Sequence, residues 1–152
     1  MTGIASLAYR PRLLLLEDSD IDADLIQRHL EHTRLDFTLV RCTGRSQYEQ
    51  ALAQGGIDLI LADYALPGFN GLDALDMARA ALPERPFIFV SGVGGEDLAT
   101  DALHRGATDY VLKRSLGRLG SAITRALAEA RERARRQLAE QALARSETAM
   151  RI

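Results

Sequence analysis

The stretch LILADYALPGFNG, residues 59–71, decides which fold the chain adopts. Its first four residues, 59–62, are apolar and do not alternate with polar residues, which predicts a strand buried on both faces, as in a parallel sheet. Asp63 follows this strand at once, and Pro67 and Gly68 then mark a turn. A carboxylate in this position lies where the core opens to solvent. The stretch therefore predicts a parallel sheet with an acid at the carboxyl end of one strand.

Length and composition are those of one ordinary globular domain. The chain has 152 residues, 47% of them apolar and 26% charged, and a net charge of −2, so its overall charge favours neither nucleic acid nor an anionic membrane. Its single cysteine, Cys42, excludes an internal disulfide and suits a reducing compartment. Two acids follow the apolar run 13–16 at once, so this run is neither a signal peptide nor a membrane span. We therefore expect a cytoplasmic protein that contacts neither nucleic acid nor membrane directly.

Five short apolar runs predict five strands. Segments with the period of an amphipathic helix separate them, and the first helical face comprises Ile21, Leu25, Ile26 and Leu30. Strands that alternate with helices predict an α/β fold, a parallel sheet with helices on both faces. Some alternation with polar residues in the second run places that strand at an edge of the sheet. The five runs are residues 13–16, 37–40, 57–62, 87–90 and 110–112.

The C-terminal part of the sequence predicts one long helix. From about residue 115 to 148 the chain consists mostly of Ala, Arg, Glu, Leu and Gln, which are all good helix formers. At about 1.5 Å per residue this helix would be roughly 50 Å long, which exceeds the width of a domain of this size. Few large apolar residues follow Ala130, so the second half should project from the domain, pair with another helix or fray. The stripe that can pack on the sheet is Leu116, Leu119, Ile123 and Leu127.

These patterns divide the chain into three parts. Residues 1–10 are expected to form an N-terminal tail, and residues 11–129 a single domain. Residues 130–152 are expected to form a helical extension or linker. The extension is Arg-rich, and its stripe of alanine and leucine residues is too weak to hold a tight coiled coil alone.

Polar residues follow four of the five predicted strands. Glu17 and Asp18 follow the first, Asp63 the third, Ser91 the fourth and Lys113 the fifth. Because ligands of parallel α/β sheets bind beyond the carboxyl ends of the strands, these side chains are candidates for one site. Three acids placed together repel one another, and a divalent cation relieves that repulsion. Hard oxygen ligands without His or Cys predict Mg²⁺.

Further acids, Asp20, Asp22 and Asp24, lie just beyond this cluster. We interpret them as residues of a helix N-terminus, where carboxylates complement the helix dipole. Lys113 is different, because it is the only lysine among 19 Lys and Arg residues. A compact ammonium suits a phosphoryl oxygen beside a metal better than a guanidinium does. We therefore predict that Asp63 is a nucleophile that accepts a phosphoryl group as an acyl phosphate.

At this point the sequence resembles a known family, the receiver domain of two-component response regulators, which belongs to the CheY-like superfamily. The resemblance covers residues 12 to about 128. It rests on four motifs in this order along the chain: the acidic pair at 17–18, LADYALPGFNGL at 61–72, VSG at 90–92 and DYVLK at 109–113. Each motif is weak alone, but the ordered set is highly specific.

The resemblance implies a flavodoxin-like (βα)₅ fold, a doubly wound parallel sheet, here with an extended C-terminal helix. It implies phosphotransfer to Asp63 from the phosphohistidine of a sensor histidine kinase or phosphotransfer protein. It implies that Mg²⁺ is held by Glu17, Asp18, Asp63 and the backbone carbonyl of Ala65. The domain would then regulate a partner and would not be an enzyme, apart from its own phosphorylation and autodephosphorylation.

The resemblance also implies a switch and a shaped loop. Ser91 would move toward the phosphoryl group and Tyr110 would turn inward, while Pro67 and Gly71 would shape the loop after Asp63. Arg114 stands where the family usually has proline, so the isomer of the Lys113–Arg114 bond stays open.

Two alternatives stay open beside this interpretation. One is a receiver-like module that binds partners without phosphorylation. The other is a haloacid-dehalogenase-like phosphatase, which also uses Asp, Ser or Thr, Lys and Mg²⁺ on a parallel sheet but needs a further acidic pair on a strand after the lysine.

Two expectations concern assembly. The chain should form at most a weak homodimer, through either the face of the fourth helix, fifth strand and fifth helix or the C-terminal helix. The extension also resembles a linker helix, so we expect a receiver from the N-terminal part of a longer multidomain signalling protein.

Overall fold

A computed structural model describes residues 10–150 and contains one central sheet of five parallel strands. The spatial order of the strands is β2-β1-β3-β4-β5, the flavodoxin-like order, so the chain reverses its direction of winding between β1 and β3. Each strand lies within two residues of its predicted run at both ends, and β2 is an edge strand as predicted. Of the predicted tail, only Arg10 lies within the described residues. The strands are β1 (Arg12–Leu16), β2 (Thr38–Cys42), β3 (Leu59–Ala62), β4 (Phe87–Ser91) and β5 (Asp109–Leu112).

Helices cover both faces of the sheet, which confirms the doubly wound architecture. Alternate residues of β1 belong to different apolar clusters, because successive side chains of a strand point to opposite faces. Leu14 and Leu16 pack in the cluster under α2, α3 and α4, whereas Leu13 and Leu15 pack in the cluster under α1 and α5. The helices are α1 (Asp20–Glu31), α2 (Arg45–Gln54), α3 (Gly71–Ala81), α4 (Glu96–His104) and α5 (Leu119–Met150).

The predicted apolar face of α1 is half wrong. Ile26 and Leu30 are buried, but Ile21 is 80% exposed and Leu25 42% exposed. Ala23 takes their place in the core, at a spacing of three and seven residues from the other two. The helix is therefore rotated toward its smaller apolar residue, and two larger ones face solvent.

The C-terminal helix begins later than predicted. A 3₁₀-helix, Lys113–Arg118, precedes it, and the backbone is not helical at Ser115, which separates the two elements. The four residues of the predicted packing stripe are all buried. Residues 131–150 are all exposed, as expected for a projecting helix. The Lys113–Arg114 bond is trans, because the described residues contain no cis peptide bond. No helix within residues 10–150 is long and apolar enough to cross a membrane.

A tight hairpin shapes the loop between β3 and α3. Residues Ala65–Leu66 pair antiparallel with Phe69–Asn70, and Gly68 supplies a φ of 68° at the turn. Gly71 then donates its N–H to the carbonyl oxygen of Tyr64 over 2.9 Å. A Cβ at residue 71 would lie only 2.6 Å from that same oxygen, so no side chain fits there. The loop after Asp63 is therefore closed by a glycine that touches backbone.

Gly71→Ala is expected to lower the free energy of unfolding by about 1–3 kcal/mol, because the added methyl group meets rigid backbone and forces it to move. Urea denaturation followed by circular dichroism measures the change. Gly117→Ala is the matched control, since a Cβ at residue 117 would meet nothing within 4 Å. Equal stability of the two variants would contradict the steric argument.

Candidate functional site

Backbone hydrogen bonds place Glu17 and Asp63 side by side. Asp63 N–H donates to the carbonyl oxygen of Leu16 over 2.9 Å, and Glu17 N–H donates to that of Cys42 over 3.0 Å. Both acids thus continue the ladders of the central strands by one residue and stand at the carboxyl edge of the sheet. Arg41 supports this edge, because its Nε donates to the carbonyl oxygen of Glu17.

Glu17 is a fully buried acid. Its Oε2 accepts the N–H of Ser19 at 3.2 Å, and its Oε1 lies 2.6 Å from Lys113 Nζ. That approach is too oblique for a hydrogen bond, so Oε1 is a buried oxygen without a well-directed donor. Burial raises the pKa of Glu17 to about 7, and the charge of Asp63 adds to this effect, whereas Lys113 opposes it. A second cation beside Oε1, in addition to Lys113, would therefore further stabilise the ionised form.

Lys113 is the centre of the site. Its Nζ lies 3.1 Å from Asp63 Oδ2 and 2.8 Å from Asp22 Oδ2, in addition to the contact with Glu17. Burial alone would lower the pKa of the lysine, but the contacts with Asp22, Glu17 and Asp63 outweigh burial and raise it. The ammonium is therefore held in its charged form by three carboxylates.

Asp22 is a site residue that sequence reasoning missed. Its sequence position predicts a first-turn acid of a helix, and it does have that position, since its N–H donates to the Oγ of the N-cap Ser19 at 3.2 Å. Its carboxylate nevertheless reaches Lys113 from α1. The sequence held one signal, because the first turn of this helix directly follows the acidic pair at 17–18 and so lies near the same edge of the sheet. Asp20 and Asp24 instead pair with Arg41 and Arg28.

Three carboxylates are arranged to hold a metal ion. One oxygen each of Glu17, Asp18 and Asp63 lies within 4.8 Å of the others. Hard oxygen donors at this spacing, together with the undonated Oε1 of Glu17, fit a small divalent cation such as Mg²⁺. Ala65, two residues beyond Asp63, lies close by, since its N–H is 3.4 Å from Asp63 Oδ1. The donor set of the acidic cluster therefore fits the predicted cation.

Ser91 and Tyr110 meet at Val93 and form a second group. Ser91 is buried at the end of β4, and its Oγ accepts the N–H of Val93 at 3.2 Å. The hydroxyl of Tyr110 donates to the carbonyl oxygen of Val93 at 2.7 Å. The tyrosine is only 7% exposed, with its ring 6.0 Å from that of Tyr64, and burial raises its pKa. The two residues predicted as a switch thus both hydrogen-bond to Val93, in the loop between β4 and α4.

Gly94 packs directly against the hydroxyl group of Tyr110. A Cβ there would lie 2.6 Å from the hydroxyl oxygen of Tyr110, and φ is 137°. The inward position of the tyrosine therefore requires glycine at this point of the loop.

The structure also locates Pro67, Cys42 and the segment after Lys113. Pro67 is exposed in the hairpin after Asp63. Cys42 is buried, and burial raises the pKa of its thiol to about 12, which agrees with an unreactive core residue. Residues 113–150 form only helices, so this described segment lacks the acidic strand that the phosphatase alternative requires after Lys113.

Comparison with known proteins agrees with this geometry. Residues 13–124 match the family described as the response regulator receiver domain. The chain is 33% identical over 99 residues to the regulatory protein LuxO of Vibrio vulnificus, an alignment that covers 65% of this chain and 21% of LuxO. It is 31% identical over 119 residues to the response regulator protein PilR of Pseudomonas aeruginosa, covering 78% of this chain and 26% of PilR. The chain thus spans about a fifth to a quarter of the length of these relatives.

Among solved structures, the chain resembles the signal receiver domain of a putative LuxO repressor protein from Vibrio parahaemolyticus. The TM-score is 0.73 at 27% identity, over 82% of this chain and 95% of the other. The signal receiver domain of an HD domain-containing protein from Pseudomonas fluorescens Pf-5 gives a TM-score of 0.72 at 25% identity, over 82% and 99% of the two chains. With its family match, its strand order and its acidic site in agreement, the chain belongs to the response regulator receiver domain family of two-component signalling.

Proposed function

We propose that Asp63 is the phosphoacceptor of this receiver domain and that it takes a phosphoryl group from the phosphohistidine of a sensor histidine kinase or phosphotransfer protein. One observation carries the proposal: Asp63 stands at the end of the central strand β3 and contacts the chain's only lysine at 3.1 Å. A carboxylate beside an ammonium and two further acids has both a nucleophilic oxygen and a place for cationic partners of phosphate.

The transfer needs no further reactant. A carboxylate oxygen of Asp63 forms a bond to phosphorus while the bond from phosphorus to the imidazole nitrogen of the donor breaks, and its electron pair stays on that nitrogen. Lys113 then donates to a phosphoryl oxygen. The hydroxyl of Ser91 is the second donor, which it becomes when the loop around Val93 moves. Water later attacks the phosphorus and restores the carboxylate, so the domain carries out its own dephosphorylation.

Glu17, Asp18, Asp63 and the carbonyl oxygen of Ala65 are the residues that would hold Mg²⁺. Bound there, the ion would neutralise charge on the oxygens of the transferred group. The oxygen spacing in the acidic cluster and the buried Oε1 of Glu17 support this assignment.

The contacts of Ser91 and Tyr110 with Val93 indicate how phosphorylation of Asp63 could change a distant surface. Phosphorylation replaces the single negative charge of the Asp63 carboxylate by the charge of about −1.5 to −2 that a phosphoryl group carries. Movement of Ser91 toward that charge would release the N–H of Val93, whose carbonyl group holds Tyr110. The change therefore reaches the loop that begins α4 and the outer side of β5. We propose this surface as the one that phosphorylation alters for a partner, as a shift between two populated states.

The test is phosphorylation of the whole chain by acetyl phosphate, followed by mass spectrometry of the intact protein. The wild-type chain is expected to gain one phosphoryl group with Mg²⁺ and none with EDTA. Failure of the wild-type chain to gain any phosphoryl group under both conditions would favour the module that acts without phosphorylation.

The projecting half of α5 is proposed as a weak self-association element and linker. Leu138, Leu143 and Met150 are 64%, 61% and 84% exposed along it, and its other residues from 131 onward are exposed as well. We propose that residues 11–129 form the domain and that residues 130–152 form the extension.

Removal of the extension is expected to abolish any concentration-dependent dimer, because the exposed leucines leave with it. Sedimentation of the full chain against a chain that ends at Ala130 measures this, with and without phosphorylation. A full chain that stays monomeric at high concentration in both states excludes the helix as a dimer element, and a dimer that survives truncation moves the interface to the face of α4, β5 and α5.

A further inference from the structure

Three carboxylates crowd the ammonium of Lys113. A lysine has three N–H donors, and three carboxylate oxygens surround this one at 2.6, 2.8 and 3.1 Å, from Glu17, Asp22 and Asp63. The side chain of Lys113 is 14% exposed, so solvent has little access to it. A phosphoryl oxygen can reach the ammonium only if one of these carboxylates gives way.

Exposure decides which contact is released. The side chain of Glu17 is 1% exposed, so its carboxylate would lose its ion pair without gaining water. Asp63 is the group that receives the phosphoryl and stays beside the lysine. Asp22 has a side chain that is 36% exposed, and water can replace the ammonium there. In the first turn of α1 its charge is also stabilised by the helix N-terminus after release.

We propose that Asp22 is a positioning residue that competes with the incoming phosphoryl group for Lys113 and thereby slows the phosphorylation of Asp63. This inference rests on the proposed function. Asp22 lies outside the acidic cluster that fits a cation, so its effect passes through the lysine. In the reaction with acetyl phosphate, an Asp63 oxygen bonds to phosphorus, the bond from phosphorus to the acetate oxygen breaks, and its electron pair leaves with acetate. The lysine leaves Asp22 for the phosphoryl oxygen in the same event.

The test compares phosphorylation rates with acetyl phosphate and saturating Mg²⁺. Asp22→Asn is expected to react about two to five times faster than wild type, the range of a partly exposed ion pair. Asp22→Glu keeps a carboxylate and is expected to restore the slower rate. Asp24→Asn is the matched charge control, because it removes an equal charge from the same helix at a residue that pairs with Arg28.

Two further measurements separate this role from a general effect of charge. In a Lys113→Ala background, Asp22→Asn is expected to give no acceleration, because the lysine through which it acts is gone. Lysine-selective isotopic labelling gives one side-chain signal, since Lys113 is the only lysine, and this signal is expected to shift in Asp22→Asn but not in Asp24→Asn.

The outcomes are distinct. An unchanged or lower rate in Asp22→Asn, equal acceleration in Asp24→Asn, or acceleration that survives in Lys113→Ala each overturns the inference. If the wild-type chain takes no phosphoryl group, the proposed function fails instead, and the lysine signal alone then tests whether Asp22 holds Lys113.

Discussion

The Asp63→Asn protein is expected to gain no phosphoryl group from acetyl phosphate under conditions in which the wild-type chain gains one. The substitution keeps the size of the side chain but replaces the carboxylate by a neutral amide, which is a poor nucleophile toward phosphorus. It also removes one of the three acids that fit the cation. Mass spectrometry of the intact protein reads the result directly.

A matched control tests whether the loss of one negative charge alone explains the result. Asp76→Asn changes an exposed acid on α3, away from the strand ends, and is expected to be phosphorylated as the wild type is. Phosphorylation of Asp63→Asn at the wild-type rate would show that another residue is the acceptor, and peptide mapping would then identify it.

Lys113→Met is expected to lower the free energy of unfolding by about 2–3 kcal/mol in EDTA, because it leaves buried carboxylates without their cation. Glu17 and Asp63 both face the ammonium, and their side chains are 1% and 11% exposed. Methionine keeps the length and apolar stem of the lysine, so packing changes little. Urea denaturation with and without Mg²⁺ measures the effect.

Addition of Mg²⁺ should recover more stability in Lys113→Met than in the wild type, since a bound cation replaces the lost positive charge. Arg114→Met removes an exposed cation at the adjacent position and is expected to change stability by less than about 0.5 kcal/mol. A Lys113→Met protein as stable as the wild type in EDTA would contradict the view that this lysine neutralises the acids.

Much of the fold could be predicted because parallel strands that are buried on both faces appear in the sequence as continuous apolar runs. The apolar runs that became β1, β3 and β4 are continuous, since both of their faces are covered, and the polar residues that follow them lie at one edge. The neighbourhood of Glu17, Asp63 and Lys113 followed from that pattern, whereas the flavodoxin-like arrangement of the strands followed from the family resemblance. The roles of the individual site residues stay predictions.

What could not be predicted depends on contacts between distant segments. Ile21 and Leu25 fit a helical face by spacing, but spacing does not fix how a helix is rotated on its sheet, and Ala23 occupies the core position instead. As a first-turn acid of a helix, Asp22 already has a sufficient local explanation in the sequence. Its contact with Lys113 joins residues 91 positions apart and arises only when β5 brings the lysine to α1.

The projecting half of α5 amplifies any tilt of the half that packs on the sheet. Residues 131–150 continue without a break from a segment whose residues Ile123 and Leu127 are buried against the sheet. Over these residues the helix extends about 30 Å, so a tilt of about 10° in its packed half would displace Met150 by about 5 Å. A small repacking beside β5 is thereby converted into a displacement large enough for another protein surface to detect.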